Sequence, residues 1–335
     1  MTAQKISSVP EWAKVEQPEP LPAEITGVQP GGVGWCARME LAWGRVRRWY
    51  LKRFRPGYVR RMAELRRGST EGAPHEILDP RDLKYCRNVV QCDWAPEHDP
   101  FRWRERLPFA RWGLAELVFM GGPLALLTSA GVMLAIWQSG WWWLAAAGAA
   151  MPLALLVWFF RDPPRQVPQA PGLWVSPADG TVVEITRLEE DPFIGSRAVR
   201  VSIFLSIFDV HVNRSPCAAR VVALRYQPGE FLNAMRPQSA QRNENLWIGL
   251  EALEAPYGRL AVRVIAGAIA RRIVCVLRPG EELGRGQKFG MIKLGSRTEL
   301  ILPDREDLEL LVEVGSKVRA GSSPIVRWQC KGISS

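Results

Sequence analysis

The sequence predicts an α+β protein: an N-terminal helical extension, a helical hairpin of membrane length, then a β-rich, mainly antiparallel domain. Three observations carry this. Residues 45–67 hold ten Arg or Lys side chains against the single acid Glu64. Residues 117–160 contain no charged side chain at all. From Arg161 onwards the apolar runs become short and are punctuated by Gly and Pro, as in packed sheets.

The whole chain of 335 residues is long enough for two or three structural units. Its formal charge of +10 points to an anionic partner. The six Cys at 36, 86, 92, 217, 275 and 330 and the three His form no CxxC or HxxxH pair, which argues against a zinc site or a disulfide scaffold. No metal is expected.

Residues 1–34 are rich in Pro and Gly and poor in large apolar residues, and read as a disordered tail without a signal peptide. Residues 35–116 read as a basic helical extension. Within it, Val46, Tyr50 and Phe54 recur at i, i+4, i+8, with a break at Pro56-Gly57. Such a segment suits an anionic lipid surface; the plainer alternative is a solvated helix whose apolar side packs on the protein. Nothing else in the chain supports nucleic-acid binding. Asp79-Pro80 and Asp99-Pro100 resemble helix starts.

In the uncharged stretch, Leu117–Trp137 spans 21 residues and Trp141–Phe160 spans 20. Each can cross a hydrocarbon layer of roughly 30 Å. Trp141, Trp142 and Trp143 cluster at the turn and Trp158 sits near the exit, where an aromatic belt belongs; Arg111, Arg161 and Arg165 put both ends on the cytoplasmic side. Gly121-Gly122-Pro123 and Ala145–Ala149 make both helices small-faced. A buried soluble hairpin, or one that only dips into a leaflet, are the alternatives.

The β-rich domain is expected from 161 to 335. Its strands are marked by the apolar runs at 182–185, 199–205, 221–224, 262–265, 273–276, 300–301 and 312–314. Three segments in it hold chemistry. Ser176–Gly180 (SPADG) supplies the carboxylate of Asp179. Phe208–Pro216 (FDVHVNRSP) supplies Asp209 and His211, the only histidine of the domain. Phe289–Arg297 (FGMIKLGSR) supplies Ser296 preceded by Gly295. An acid, a base and a hydroxyl make a candidate nucleophile set, because serine needs an adjacent base. Asp179 and Asp209 both qualify as partner of the imidazole; if Asp209 lies on a strand with His211, the strand period of two puts both on one face.

These segments, with FFRDPPR at 159–165, IAGAIARRIVC at 265–275 and FGMIKLGSRTELILP at 289–303, resemble the phosphatidylserine decarboxylases, pyruvoyl-dependent membrane enzymes. The resemblance runs from about Phe159 to Val326. It implies that the Ser296 hydroxyl attacks the Gly295 carbonyl and that the chain is cleaved between 295 and 296. A β chain of residues 1–295 and an α chain of residues 296–335 then form a heterodimer. Ser296 becomes a covalent pyruvoyl cofactor, whose ketone forms a Schiff base with the substrate amine while CO₂ leaves. His211 is implied as base and Asp179, in the family's ADG motif, as its orienting carboxylate. Longer members of the family carry a second histidine in a D-x-H-x-x-H pattern; here that position is Arg214, as in the short-form D-x-H-x-N-R members. Arg214, Asn213, Arg297 and Arg271-Arg272 are candidate partners for the phosphate and carboxylate of phosphatidylserine. The implied setting is the cytoplasmic face of the cell membrane.

Two other readings fit the residues. One is a decarboxylase of a related serine-headgroup lipid. The other is a non-enzymatic carrier or scaffold, in which the glycine-punctuated Val312–Gly321 stretch is a barrel hairpin and Lys293 the modified lysine.

Overall fold

The structure, a computed structural model, describes residues 35–65, 100–227, 229–233, 239–268, 273–277, 280–293 and 295–329. The expected tail at 1–34, the helix starts at Asp79 and Asp99, and Arg271-Arg272 lie outside these residues.

The basic segment forms α1 (Trp35–Phe54) and α2 (Pro56–Leu65). The break falls at Arg55, and Pro56 opens α2, where its missing N–H is not required. On α1, Cys36, Glu40 and Leu51 are buried, whereas Val46, Trp49, Tyr50 and Phe54 are 40–62% exposed. The apolar i, i+4, i+8 residues therefore remain largely unpacked, unlike those of a helix that buries its apolar side on the protein.

The uncharged stretch forms two antiparallel helices, α3 (Arg111–Trp137) and α4 (Trp142–Phe159), both long and apolar enough to cross a membrane by length and composition. α3 begins six residues before the uncharged run and so includes Glu116. A wider, π-type turn at Leu117–Gly121 precedes Pro123, which cannot donate to the regular ladder. Gly131 packs on α4: a Cβ there would lie 3.0 Å from the Ala146 nitrogen. The helices thus meet through small residues. Their outward faces are bare: Leu126, Ile136, Trp137, Trp141 and Met151 are 67–80% exposed. This excludes the soluble alternative in which the hairpin is buried as a core.

Fourteen strands follow among the described residues. They are β1 (Leu173–Val175), β2 (Gly180–Asp191), β3 (Ser196–Leu205), β4 (Val212–Arg214), β5 (Ala219–Gln227), β6 (Asn245–Ala252) and β7 (Arg259–Ala266), then β8 (Ile273–Cys275), β9 (Glu282–Leu283), β10 (Lys288–Ile292), β11 (Ser296–Pro303), β12 (Leu308–Leu310), β13 (Lys317–Val318) and β14 (Pro324–Trp328). The main sheet has eight strands in the order β13-β2-β3-β11-β7-β6-β5-β9; two three-stranded sheets, β1-β14-β12 and β4-β10-β8, flank it. Every named pairing is antiparallel. The chain is thus α+β, helices first and antiparallel sheet after.

One expected strand is absent. Val312 and Val314 lie in a turn between β12 and β13, closed by the Glu313 N–H to Ser316 Oγ bond at 3.0 Å. Val314 is exposed. Apolar alternation over three residues is too short to outweigh a Gly-Ser turn signal.

The main core joins the inner faces of β2, β3, β5, β6, β7 and β11 with Trp174, Phe289 and Trp328. A second apolar cluster decides where the membrane-length helices attach. Ala110, Trp112, Phe159 and Phe160 from the hairpin root pack on Val210, Val212, Val274 and Met291. The root is closed by the Ala110 N–H to Phe160 carbonyl bond at 2.7 Å and the Asp162 N–H to Pro108 carbonyl bond at 2.8 Å.

Candidate functional site

The chain crosses from the small sheet to the main sheet between β10 and β11, through Lys293, Leu294 and Gly295. β11 then starts at Ser296, paired with Leu205 of β3 on one side and Ala266 of β7 on the other. Ser296 is fully buried, and its Oγ has no hydrogen-bond partner among the described residues. A buried orphan hydroxyl costs about 1–3 kcal/mol, so this one is held there by its surroundings. Gly295 has φ +73°, in the left-handed region, and no atom lies within 4 Å of a Cβ built on it. Glycine is required by the dihedral rather than by crowding.

His211 precedes β4 and is fully buried. Its Nδ1 lies 2.9 Å from the Asp209 carbonyl, and its Nε2 accepts the Gly295 N–H at 3.0 Å. These partners define the neutral tautomer with the proton on Nδ1. The ring rests on Phe159, the last residue of α4, with centroids 4.4 Å apart. Burial pushes its pKa down to about 4, against the pull of the neighbouring Asp209. The imidazole is an unprotonated acceptor at neutral pH.

Neither aspartate carboxylate orients the imidazole directly. Asp209 closes its own turn, accepting from Ser206 N–H at 2.8 Å and Ser206 Oγ at 2.7 Å, and meets His211 through its backbone carbonyl. Asp179 receives Arg165 at 2.7 Å and the Ala320 N–H at 2.8 Å. Burial raises its pKa while Arg165 lowers it. The expected Asp179–His211 contact is thus replaced: Arg165, a stronger partner for a buried carboxylate, occupies it. The SPADG loop still lies beside the site. A Cβ on Gly180 would stand 2.1 Å from the Phe204 carbonyl, so only glycine lets this loop approach the strand that pairs with Ser296.

The residues expected to bind substrate anions are engaged internally. Arg214 is buried, paired with Asp162 at 2.8 Å and hydrogen-bonded to the Gly286 carbonyl at 3.2 Å. Arg297 is buried among Glu184, Ser202 Oγ at 2.7 Å and Glu299 at 3.1 Å. Asn213 ties the Pro177 carbonyl to Thr298 Oγ1, at 3.4 and 3.3 Å. All three hold the site's walls together, and the charges of Arg214 and Arg297 are already met by buried or half-buried carboxylates.

Lys293, two residues before Gly295, is buried between Glu40 of α1 at 2.6 Å and Glu116 of α3. A carrier lysine needs exposure for modification, so this burial removes that reading. Replacing Lys293 with Met is expected to destabilise the protein by about 3–5 kcal/mol, since two buried carboxylates would lose the cation that lies between them. Adding Glu40→Gln and Glu116→Gln should recover most of the loss. Denaturant titration in detergent checks both; equal stability of the single variant and wild type would contradict the assignment.

Among the described residues no group of three or more His, Cys, Asp or Glu converges as a metal site. Residues 295 and 296 could instead carry a group made from the chain itself. From sequence, Arg161 and Arg165 were read only as charges flanking the hairpin, Lys293 only as a carrier lysine, and Phe159 only as part of a motif; none was placed at this site. The run at 159–165 was visible as a motif, but only its contacts assign its parts.

Comparison with known proteins places the chain in a family. The family model described as phosphatidylserine decarboxylase matches residues 153–326. A protein of Rhodopirellula baltica, named phosphatidylserine decarboxylase proenzyme, is 50% identical over 248 residues, covering 74% of this chain and 99% of that protein. Proteins of the same name from Symbiobacterium thermophilum and Carboxydothermus hydrogenoformans are 46% and 40% identical; they align over 62% and 67% of this chain and 92% and 98% of their own lengths.

Proposed function

The chain belongs to the phosphatidylserine decarboxylase family, and from that premise we propose that it is a self-processing membrane enzyme that converts phosphatidylserine to phosphatidylethanolamine and CO₂. The observation that carries this reading is the 295–296 junction: a left-handed glycine whose amide is held by His211, next to a buried serine hydroxyl with no described partner. These residues fit a pyruvoyl group derived from Ser296.

In the proposed processing, Ser296 Oγ attacks the Gly295 carbonyl and the peptide bond becomes an ester. His211 Nε2 moves from the Gly295 amide to the Ser296 hydroxyl and takes its proton. Loss of the Ser296 Cα proton then expels the Gly295 carboxylate, and water converts the remaining dehydroalanine to pyruvoyl and ammonia. The pyruvoyl ketone supplies the electron sink for loss of the substrate carboxylate. In that reaction the chain's residues hold and move protons: His211 is the base nearest the position, and the Asp209 carbonyl keeps its proton on Nδ1. Asp179 supports the site through Arg165 and the Ala320 loop.

The α chain from 296 to 335 would stay bound after cleavage. Its β11 is laddered to β3 and β7, and its β14 to β1, all from the β chain. That supports a heterodimer without any further contact.

Processing depends on unprotonated His211, whose pKa lies near 4 rather than 6.5. The histidine stays neutral on lowering the pH through 6.5, so the processing rate should be flat there and fall only as pH drops through about 4. A single-turnover cleavage assay on precursor made in denaturant and refolded checks this; a midpoint near 6.5 would assign the base elsewhere. The same shift affects stability. Between pH 6.5 and 4 the unfolded chain binds the proton and the folded chain does not, so stability falls across that window as pH is lowered.

Membrane embedding accounts for the bare apolar faces of α3 and α4 and for the tryptophans at their turn. The expected result is that carbonate or high salt leaves the protein in the membrane fraction and detergent releases it; release of the intact chain by carbonate would refute the hairpin anchor. Intact mass spectrometry of the purified protein tests the whole reading, since it reports cleavage at 295–296 and pyruvoyl formation together.

A further inference from the structure

The turn that carries the catalytic imidazole is fastened to the end of the membrane-length hairpin and presents two bare apolar side chains there. Ile207 and Phe208 are 40% and 59% exposed, although both lie within four residues of the fully buried His211. The turn is built to hold them out. Asp209 caps Ser206, and the Asp209 N–H returns to the Ser206 carbonyl at 3.0 Å, so residues 207 and 208 form the tip.

The Phe208 carbonyl is received by the hairpin exit, from Trp158 Nε1 at 3.2 Å and from Arg161 at 2.8 Å. The Arg161 guanidinium lies over the Trp158 ring, 4.0 Å from its centroid. An indole and an arginine at the end of an apolar helix occupy the level of lipid headgroups. The tip of the turn is pinned to that level, beside Trp158, which is itself 51% exposed at the end of α4.

The geometry points to a second membrane contact: the Ser206–Asp209 turn inserts Ile207 and Phe208 into the acyl boundary of the bilayer beside the hairpin exit, so that the His211 end of the domain faces the lipid from which a headgroup is drawn. This rests on the membrane reading of α3 and α4. The occupant is a phospholipid bilayer, because the patch is pinned to the end of a membrane-length helix and is edged by a tryptophan and an arginine. An exposed aromatic far from the site offers a contrast. Tyr257, 71% exposed, lies past the far end of β7 from Ala266, the residue paired with Ser296. At about 3.3 Å per residue, that is roughly 25 Å or more from the site.

Wild-type protein is reconstituted into phosphatidylethanolamine–phosphatidylglycerol vesicles containing a phospholipid with a diazirine in its acyl chain, irradiated and mapped by peptide mass spectrometry. Labelling of the hairpin and of the 206–209 turn, with none at Tyr257, is the expected result. Labelling of the hairpin without the turn overturns this inference and leaves the anchor standing. Absence of label from both overturns the membrane reading and the inference with it, and equal label at Tyr257 shows non-specific contact and also overturns it.

An activity arm adds a second readout. Ile207→Ser with Phe208→Ser should still self-cleave fully and keep its rate on monomeric short-chain phosphatidylserine. On phosphatidylserine in vesicles the rate should fall at least tenfold, and Phe208→Leu should restore much of it. Equal loss on both substrates, or none on vesicles, overturns the proposal; an inactive wild-type protein that still labels at 206–209 faults the decarboxylase reading alone.

Discussion

Ser296→Ala is expected to remain a single uncleaved chain with no decarboxylase activity. Alanine has no hydroxyl to attack the Gly295 carbonyl and no leaving group to eliminate, so both the ester shift and formation of the ketone are blocked at their first atom. The fold should survive. The Ser296 hydroxyl makes no hydrogen bond to a described residue, so its removal leaves no partner unsatisfied and relieves a buried orphan. Wild-type protein, in contrast, should yield an α fragment whose amino terminus resists sequencing. Its mass should be lower, by one ammonia, than that of the peptide 296–335 made by simple hydrolysis. Borohydride in the presence of phosphatidylserine should tag this fragment and stop CO₂ release. Ser296→Thr should cleave slowly and leave a bulkier ketone. Wild-type protein that stays one chain through purification, with an intact serine and full activity, would refute the pyruvoyl mechanism.

His211→Ala is expected to accumulate precursor, with cleavage slowed by about 10²–10⁴-fold, the usual contribution of a positioned general base. The loss has two sources. The nucleophile loses its proton acceptor, and the Gly295 N–H loses the acceptor at 3.0 Å that holds the junction in its left-handed conformation. His211→Gln separates them, since an amide can accept the Gly295 N–H but is no base; it should keep the fold and still fail to cleave quickly. Asp179→Ala should be milder, because it acts through Arg165 and the Ala320 amide and not on the imidazole. Asp209→Asn should also be mild, since its carbonyl, not its carboxylate, meets the ring. Time courses of precursor and fragments on denaturing gels give all four rates. Rapid, complete processing of His211→Ala would move the base elsewhere. A block from Asp179→Ala as deep as that from His211→Ala would restore the direct aspartate–histidine pair.

Much of the architecture was legible because its signals are local. An uncharged run of membrane length can do little but form apolar helices, and β3, β7 and β11 are marked by β-branched runs whose ends are turns. β6 was missed although it carries Leu246, Ile248 and Leu250 in alternation, and the other unmarked strands are two to five residues long. β10 reads Lys288–Ile292 and contains a glycine, β4 is three residues long, and β1 pairs with β14 at the far end of the domain. The misplaced strand at Val312–Val314 is the reverse case, local alternation with no neighbour to pair with.

At the site, residue types were visible in the sequence and their partners were not. Ser296, Gly295 and His211 stood out by chemistry and motif, and the chain order placed them in one domain. Which group Arg165, Arg214, Arg297 and Lys293 would meet could not be read from their own neighbours, because each pairs with a carboxylate 2 to 253 residues away. A basic residue near a site looks like an anion binder until the fold shows whether its charge is already met. The sequence by itself determined the order of parts: basic helices, apolar hairpin, antiparallel domain, and a glycine–serine junction on the edge of a strand. The tertiary structure decided that the hairpin root packs on His211. Phe159 against the imidazole, and Trp158 and Arg161 on the Phe208 carbonyl, are contacts between segments some 50 residues apart, made by burial and hydrogen bonding that no local pattern encodes.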